Sequence, residues 1–261
     1  MRTILTIGAA LFFWGAANTA SAQVQASPTP ENTGPNSNIV RWAEGKYIYR
    51  TADGKRERAW ERFHLNTHPD GSRTIIMWHD LYARNNQFTV VLRVAENYRP
   101  IQAYLSYWSP NGYKGSNLIN IMGDKLTAIT NGPQGLITQS ISVPENVSIG
   151  THPVAADGWH SWYEDKNAKG MQKGTLYSIE ATADNSKPPL GTSMPFEFER
   201  LGKEKITVPA GTFDVIKYKL GEGGSEAWVM EQDRLMVRVL NGARGLEYLL
   251  TEFKSGNNAK K

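Results

Sequence analysis

The residues that decide the fold are FTVVLRV, at positions 88–94. Successive side chains of a strand point to opposite faces, so every second residue shares a face. Here one face carries the apolar members Phe88, Val90, Leu92 and Val94. A period of two with one apolar face predicts a β-strand that covers a core on one side, as in antiparallel sheets.

The same period recurs along most of the chain, clearly at 74–82 and again at 235–240. Gly, Pro, Asn and Asp supply the fixed or positive φ that chain reversal requires. They cluster between the alternating runs, at 52–54, 69–71, 110–112, 123–124, 132–135 and 222–224. The sequence therefore predicts an all-β fold: a single curled antiparallel sheet of about a dozen strands, either a half-barrel or a lipocalin-like barrel.

One long connection, from Thr151 to Lys173, shows no two-residue alternation. Asp157 is a candidate N-cap and Gly170 a candidate C-terminal stop, so we expect one short helix here. A connection of this length in a compact β protein is often functional. Its glycines and aromatic residues lead us to expect a lid that closes over an internal cavity.

The N-terminus has the features of a secretory signal peptide. Arg2 precedes a largely apolar run, 4–17, and residues 20–22, ASA, provide the small side chains that signal peptidase requires. We expect cleavage after Ala22 and a periplasmic mature protein that begins at Gln23. The apolar run is too short to span a membrane comfortably, and no stable membrane insertion is expected after signal removal.

The chain is expected to divide into four parts. Residues 1–22 are the signal peptide, and residues 23–37, rich in Pro, Asn and Ser, form a flexible leader because they bury too little apolar surface. Residues 38–254 form the β domain. Residues 255–261, which end in two lysines, are expected to be a disordered tail.

Composition excludes several classes of function. Cysteine is absent, which rules out disulfides, thiolate nucleophiles, zinc–thiolate sites, iron–sulfur clusters and a lipoprotein anchor. The formal net charge is +4, but basic residues are scattered among acidic ones, so no nucleic-acid partner is predicted. Because the periplasm supplies no ATP or reduced nicotinamide, no cofactor is predicted. The oligomeric state stays open.

Aromatic residues are abundant, with eight Trp and eleven Tyr in the whole chain. Such a content is typical either of a bulky core or of the wall of a cavity for an apolar or sugar-like ligand. The residues expected to contact ligand are Trp78, Tyr104, Trp108, Trp159, Trp162, Tyr163, Trp228, Arg93 and Arg238. The two arginines would bind an anionic headgroup if they point inward, or form cross-strand ion pairs if they point outward.

Few residues can carry acid–base chemistry. His152 and His160 lie eight positions apart in the long connection, with Asp157 between them. They could provide a base and its orienting partner, or hold a divalent metal, but the spacing matches no metal motif and no metal is predicted. The alternative is a solvated loop whose histidines bond to the backbone. His79 lies on the apolar face of its strand, as either a core or a cavity residue.

A resemblance rests on three segments: ITVPAGTFDVIKY at 206–218, AWV at 227–229 and RLMVR at 234–238. Over about 195–240 they resemble an exported bacterial family classified only as a domain of unknown function. In that family a Val-Pro-Ala-Gly-Thr-Phe turn joins two strands; Met236 stands where the family often has Pro. The resemblance implies a twisted antiparallel half-barrel, similar to periplasmic lipoprotein-carrier proteins, and no assigned reaction.

Three functions are compatible with these patterns. The first is a periplasmic binding protein whose partner is a small apolar or amphipathic molecule or a lipid. The second is a cofactor-independent exported enzyme, a hydrolase or a lyase or isomerase, that uses His152, Asp157, His160 and His79 for general acid–base catalysis. The third is a structural component of the envelope, which predicts an exposed apolar strip and no enclosed pocket.

Overall fold

The computed structural model describes residues 38–179, 184 and 186–258, so the predicted signal peptide and leader lie outside the described residues. The strands, numbered in chain order, are β1 (Arg41–Thr51), β2 (Glu57–Thr67), β3 (Arg73–Leu81), β4 (Asn86–Val94), β5 (Pro100–Ser109), β6 (Gly112–Met122), β7 (Lys125–Gly132), β8 (Gly135–Ser142), β9 (Val147–Gly150), β10 (Gln172–Ile179), β11 (Gly191–Val208), β12 (Gly211–Leu220), β13 (Ser225–Met230), β14 (Met236–Asn241) and β15 (Leu246–Asn257). The helical elements of this part of the chain are three 3₁₀ turns, at Tyr82–Arg84, Asp157–Ser161 and Gly242–Arg244.

The fifteen described strands belong to one sheet in the order β8-β7-β6-β5-β4-β3-β2-β1-β15-β14-β13-β12-β11-β10-β9. Neighbouring strands are antiparallel, apart from the parallel pair of β9 and β10. β8 and β9 are the two edges, so the sheet is curled but not closed. This arrangement confirms the predicted curled antiparallel sheet and corresponds to a half-barrel rather than a closed barrel.

The alternation at 88–94 reflects a strand with one buried face, as predicted. These residues form most of β4, which is buried at every second position. Ile75 pairs with Leu92, and Met77 with Val90, so the apolar faces of β3 and β4 are aligned. Burying one such aliphatic side chain contributes about 1.5–3 kcal/mol, which fixes the register because a one-residue slip would expose the whole row.

The concave side of the sheet is filled by the inner segment, which we define as residues 151–163. Trp159 is 2% exposed, and Val154, Ala155 and Ala156 are buried beside it. These side chains belong to the same core as the inward residues of the strands. The segment therefore supplies the second layer against which the sheet packs.

The predicted helix is only a short 3₁₀ turn, Asp157–Ser161. Asp157 is not its N-cap, since Ala156 holds that position and has no side chain that could cap. The turn also ends before Gly170, the predicted stop. Residues 166–170 are exposed, so no apolar face is available there to stabilise a longer helix.

The described part of the C-terminal tail is ordered in the sheet, contrary to prediction. β15 continues to Asn257, which pairs with Arg41 at the start of β1. The backbone N–H of Asn258 then donates to the Val40 carbonyl oxygen at 3.0 Å. Polar residues can extend a strand in this way because a neighbouring strand satisfies their backbone groups.

The start of β11 lies against the strands at the other end of the sheet. The Gln139 side chain on β8 accepts a hydrogen bond from the Gly191 N–H and donates one to the Gly191 carbonyl, at 3.2 and 3.0 Å. Asn117 on β6 donates to the Pro189 carbonyl at 2.8 Å.

Within the described ranges there is no helix with the length and apolar character to cross a membrane.

Candidate functional site

Two of the four predicted catalytic residues, His79 and His152, are in contact. Their Nδ1 atoms lie 3.3 Å apart, and both rings stack on Phe88. Tyr49 stacks on His79 with ring centroids 4.5 Å apart. His79 is buried, whereas His152 is exposed on one side and has a left-handed backbone with φ of 77°. The pair is therefore part of an aromatic stack.

The surroundings of these histidines favour the neutral imidazole. Burial, followed by the proximity of His152, lowers the pKa of His79 to about 3. Loss of hydration, followed by the charges of Arg84 and Arg244, lowers the pKa of His152 to about 4. Bases this weak are poorly matched to proton abstraction near neutral pH. The stack gives the enzyme hypothesis little support.

Asp157 and His160 contact each other but not His152. The His160 ring is 3.2 Å from Asp157 Oδ1 through Nε2, and 2.9 Å from Ser148 Oγ through Nδ1. Among the described residues no hydrogen bond or ring contact joins His152 to Asp157 or His160, so the expected group of these three residues does not form. The 3₁₀ turn directs His160 toward β9, while the left-handed backbone of His152 directs its ring toward β3.

The chain from Asp157 through His160 to Ser148 ties the inner segment to β9. Ser148 and His160 are both buried, so the hydrogen bond between them is shielded from water, whereas Asp157 is partly exposed. In the described part of the chain no three His, Cys, Asp or Glu side chains are grouped as a metal site would require.

A buried carboxyl group, Glu61 on β2, anchors the start of the inner segment to the sheet. Its Oε2 accepts hydrogen bonds from the Tyr49 hydroxyl at 2.5 Å and the Val154 N–H at 2.7 Å, and its Oε1 accepts one from the Ala155 N–H at 3.0 Å. Burial raises the pKa of Glu61 to about 8, although these three donors act in the opposite direction. The folded state therefore favours a protonated Glu61 at neutral pH.

This raised pKa predicts a loss of stability on the alkaline side. Between its ordinary value of 4.5 and about 8, Glu61 is ionised in the unfolded chain but protonated in the folded protein. The unfolded state then binds fewer protons, so the free energy of unfolding falls as pH rises. From pH 5 to pH 8 this group should contribute a loss of about 3–4 kcal/mol.

The measurement is urea unfolding of wild type and Glu61→Gln from pH 5 to pH 9. Glutamine cannot ionise, so the free energy of unfolding of wild type, measured relative to that of Glu61→Gln, should fall by about 3 kcal/mol from pH 5 to pH 8. Glu57→Gln, at an exposed position of the same strand, is the control and should follow wild type. A constant difference between wild type and Glu61→Gln across this range would refute the prediction.

The inner segment leaves little free space on the concave side. The cavity beside it has a volume of about 60 Å³, whereas ligand pockets commonly exceed about 300 Å³. Trp159 Nε1 donates to the Asp233 carbonyl, and Trp162 Nε1 donates to the Val147 carbonyl. Tyr163 packs edge-to-face on Phe198. In this conformation the expected lid occupies the space that it was expected to cover.

Four of the predicted ligand contacts lie outside the curl of the sheet. Trp78, Tyr104 and Trp108 are 41%, 41% and 51% exposed, and Arg93 is also exposed. They occupy the positions between the buried residues of β3, β4 and β5. These four residues therefore do not line the concave side of the half-barrel. Both faces of these strands carry apolar residues, so alternation alone does not reveal which one turns inward.

Trp228 and Arg238 also point away from the concave side, although Trp228 is only 5% exposed. Their neighbours Ala227 and Val239 point the other way and line the small cavity. The Arg238 guanidinium lies 4.9 Å from the Trp228 ring and 2.7 Å from a carboxylate oxygen of Glu247. Arg238 thus forms the cross-strand ion pair that was the alternative to ligand binding.

A second, larger cleft lies on the surface and has a volume of about 370 Å³. It is lined by Tyr98, Lys166, Arg200, Lys203, Ile216, Glu231 and Arg234. These residues come from the β4–β5 turn, the stretch after the inner segment, β11, β12 and the β13–β14 turn. We call it the cationic cleft, because four of its seven lining residues are basic.

A buried carboxylate, Glu164, organises two of these basic residues. Its oxygens lie 3.0 Å from Arg200 Nη1 and 3.5 Å from Arg234 Nη2, and Oε2 also accepts the Tyr218 hydroxyl at 2.8 Å. The Glu164 side chain is 1% exposed. An ion pair held this far from water fixes both guanidinium groups at the wall of the cleft.

The backbone at the cleft is strained in two places. Tyr98 has a φ of 67°, and the consecutive residues Asp233 and Arg234 have φ of 63° and 50°. Left-handed backbone is uncommon for such residues and concentrates at ligand sites, where surrounding contacts must hold it. Arg41 holds Asp233 by a 2.8 Å ion pair, and Trp159 bonds its carbonyl oxygen. The core therefore maintains the shape of the cleft.

Neither Glu61 nor any residue of the cationic cleft is among the site residues that the sequence predicts. Glu61 left a detectable signal, because it falls at an inward position between Ala59 and Phe63 on an otherwise apolar face. A charged residue on a buried face needs hydrogen-bond or ion-pair partners, so its position in the sequence pattern indicates a specific structural or functional role. The cleft left no such signal, since its residues come from five separate segments and form no local motif.

No protein-family model matches the chain, and no curated protein matches its sequence. It is similar in structure to a β-barrel-like protein of the unknown-function family DUF1849 from Brucella abortus, with 7% identity, a TM-score of 0.44, and coverage of 84% of this chain and 98% of the other. A DUF1089 family protein from Pseudomonas aeruginosa has 13% identity, a TM-score of 0.40, and coverage of 70% and 89%.

A Bacteroides fragilis protein with a YmcC-like fold has 12% identity, a TM-score of 0.32, and coverage of 81% of this chain and 95% of the other. Similarity at this level assigns no function to the chain. Residues 206–218 do form the end of β11, a turn and β12, as the sequence resemblance implies.

Proposed function

We propose that the protein is an exported, periplasmic binding protein for a small organic anion that carries an apolar group. The observation that carries this proposal is the cationic cleft, whose 370 Å³ volume lies within the range of ligand pockets. The predicted signal peptide supports export. This proposal keeps the predicted class of function but moves the site from the interior of the half-barrel to its surface.

Charge supports an anionic ligand. Arg200 and Arg234 share Glu164, and Lys203 is paired with Glu231 at 2.5 Å. Lys166 has no ion-pair partner among the described residues. The four cations and two carboxylates leave a formal excess of two positive charges. Arg200 is hydrogen-bonded through Nη1 to Glu164, so its Nε and Nη2 can donate to a carboxylate or phosphate in a fixed geometry. Arg234 already donates through Nε to the Gly158 carbonyl and through Nη2 to Ser161, so it can offer a ligand its Nη1.

Shape and apolar contacts limit the ligand further. Tyr98 and Ile216 provide the apolar part of the wall. The Tyr98 ring is itself held between the Arg73 guanidinium, 4.1 Å away, and Trp159, at 5.8 Å. The cleft is near the lower end of the usual size range, so it suits a single-chain amphiphile or a small aromatic anion rather than a two-chain lipid.

The enzyme hypothesis has weaker support. His160 lines the 60 Å³ cavity and bonds to Ser148 and Asp157, but that space holds only a few atoms. His79 and His152 have pKa values too low for a general base near pH 7. The described histidines are therefore better explained by their packing and anchoring roles.

Isothermal titration with octyl phosphate, octanoate and the uncharged octyl glucoside, each below its micelle concentration, tests the proposal. We expect saturable 1:1 binding of the two anions and at least about tenfold weaker binding of the glucoside. Lys166→Glu should weaken binding of the anions by about tenfold, because it reverses the unpaired charge of the cleft.

The matched control is Lys169→Glu, the same charge reversal at an exposed lysine three positions along the chain and outside the cleft. It should bind both anions as wild type does. Equal binding of all three amphiphiles, or equal weakening by Lys166→Glu and Lys169→Glu, would reject the cleft as the ligand site.

A further inference from the structure

The outer face of β3–β7 carries a continuous row of apolar side chains. Strand register places each member beside the next: Ile76 opposite Val91, Val91 opposite Tyr104, Tyr104 opposite Leu118 and Leu118 opposite Ile129. Tyr104 and Leu118 are 41% and 37% exposed. At about 4.8 Å between strands, the row is about 20 Å long.

Further aromatic rings widen this row. Trp78 follows Ile76 on the same face of β3, and Trp108 packs against Tyr113 with ring centroids 5.2 Å apart. Trp78, Trp108 and Tyr113 are each more than a third exposed. A contiguous apolar surface of this kind marks an interaction site on an otherwise well-packed protein. We call it the outer aromatic face.

The surroundings of this face are polar but carry little charge. The outward positions on β3–β7 next to the row are mainly Thr, Ser, Asn and Gln. The charged outward residues there are Asp80, Arg93 and Lys125, and Arg62 follows beside Trp78 on β2. Three cations and one carboxylate give the face a mild positive charge.

We infer that the outer aromatic face docks on the surface of an anionic phospholipid bilayer. Trp and Tyr rings prefer the headgroup region, where the apolar ring is buried and the polar atom stays hydrated. The positive flanks complement anionic headgroups, at about 1 kcal/mol for each basic residue near the surface. The face is on the outside of a curled sheet, and such a surface enters a soft lipid interface more readily than it matches a second identical sheet.

Flotation of the purified protein with vesicles tests this inference. We expect binding to vesicles that contain phosphatidylglycerol and at least about fivefold weaker binding to pure phosphatidylcholine, with the difference removed by high salt. The triple variant Trp78→Ser/Tyr104→Ser/Trp108→Ser should lower the partition coefficient by about tenfold or more, since three partly exposed rings no longer enter the interface.

Two further variants make the test specific. Met194→Ser/Leu201→Ser removes comparably exposed apolar residues from β11, at 45% and 49%, and should bind vesicles as wild type does. Arg62→Glu/Arg93→Glu should lose about tenfold in binding to anionic vesicles without a change in its urea unfolding curve.

Several outcomes would overturn the inference. One is no binding to either type of vesicle, and another is unchanged binding of both outer-face variants. A third is dimerisation in sedimentation velocity that the triple variant abolishes, which would assign the face to a second copy of the chain. Because the cationic cleft is untouched by these variants, octyl phosphate binding should stay at the wild-type level in all of them.

Discussion

Glu61→Ala is expected to lower the free energy of unfolding by about 3–5 kcal/mol. The substitution leaves two buried donors, the Tyr49 hydroxyl and the Ala155 N–H, without an acceptor, and leaves the Val154 N–H with only the Tyr49 hydroxyl oxygen, 3.0 Å away. Each unsatisfied buried donor costs about 1–3 kcal/mol, reduced here because a carboxyl group no longer has to be buried. The midpoint of urea unfolding at pH 6, with an unchanged slope, measures this loss.

Two control variants separate the stability lost with these hydrogen bonds from the effect of simply replacing a glutamate by alanine. Glu57→Ala, at an exposed position of the same strand, should stay within about 0.5 kcal/mol of wild type. Tyr49→Phe keeps the ring and removes one donor, so it should cost about 1 kcal/mol. Hydrogen exchange at Val154 and Ala155 should accelerate in Glu61→Ala. A loss below about 1 kcal/mol would mean that Glu61 does not anchor the inner segment.

The sheet could be predicted from the sequence because its signal is local. Alternation over residues such as 88–94 reflects a strand with one buried face, and turn residues between the runs imply hairpins between sequence neighbours. The final order follows almost entirely from such hairpins, with β1 and β15 as the main long-range antiparallel pair. A half-barrel and a closed barrel share these local signals, so only the structure distinguished them.

Which face of each strand turns toward the concave side of the sheet was harder to predict. In β3 the inward row contains Met77 and His79 and the outward row contains Ile76 and Trp78, so both rows are apolar or aromatic. Aromatic content could not distinguish a cavity wall from an outer surface. The decision depends on which row meets the inner segment, and that is a tertiary contact with no local signature.

The candidate site depended even more on tertiary contacts. The predicted group of His152, Asp157 and His160 assumed that neighbours in sequence converge on one point. Instead the inner segment runs through the core, so His152 contacts β4 at Phe88 while His160 contacts β9 at Ser148. The cationic cleft assembles from five segments, whose approach follows from the curl of the sheet rather than from any local pattern.

The buried core and the surface cleft are physically connected. Trp159 packs near Tyr98, a wall of the cleft, and bonds the carbonyl oxygen of Asp233, which precedes Arg234 in the strained turn. Ser161 in the same segment accepts a hydrogen bond from Arg234 Nη2 at 2.6 Å through its hydroxyl. A change in the inner segment should therefore alter the cleft even though the segment contributes little to its lining.

Trp159→Ala is the second substitution for which we expect a large effect, a loss of about 3–5 kcal/mol in the free energy of unfolding. The side chain is 2% exposed, so its removal leaves a large void beside the sheet. It also leaves the Asp233 carbonyl without its 2.8 Å hydrogen bond. Urea unfolding at pH 6 measures the loss, and titration with octyl phosphate at a temperature where the variant is folded should show weaker binding.

This experiment also distinguishes a permanent second layer from a mobile lid. A lid that is open without ligand would leave Trp159 exposed, and its removal would then cost less than about 1 kcal/mol in the ligand-free protein. Trp159→Phe, which keeps most of the apolar volume but loses the N–H donor, should fall between wild type and alanine, at about 2 kcal/mol. Trp108→Ala, at a 51% exposed position, should stay near wild type. Equal losses of unfolding free energy in Trp159→Ala and Trp108→Ala would support a mobile lid. A much larger loss in Trp159→Ala would show that the inner segment is part of the core, because only a packed side chain contributes that much to stability.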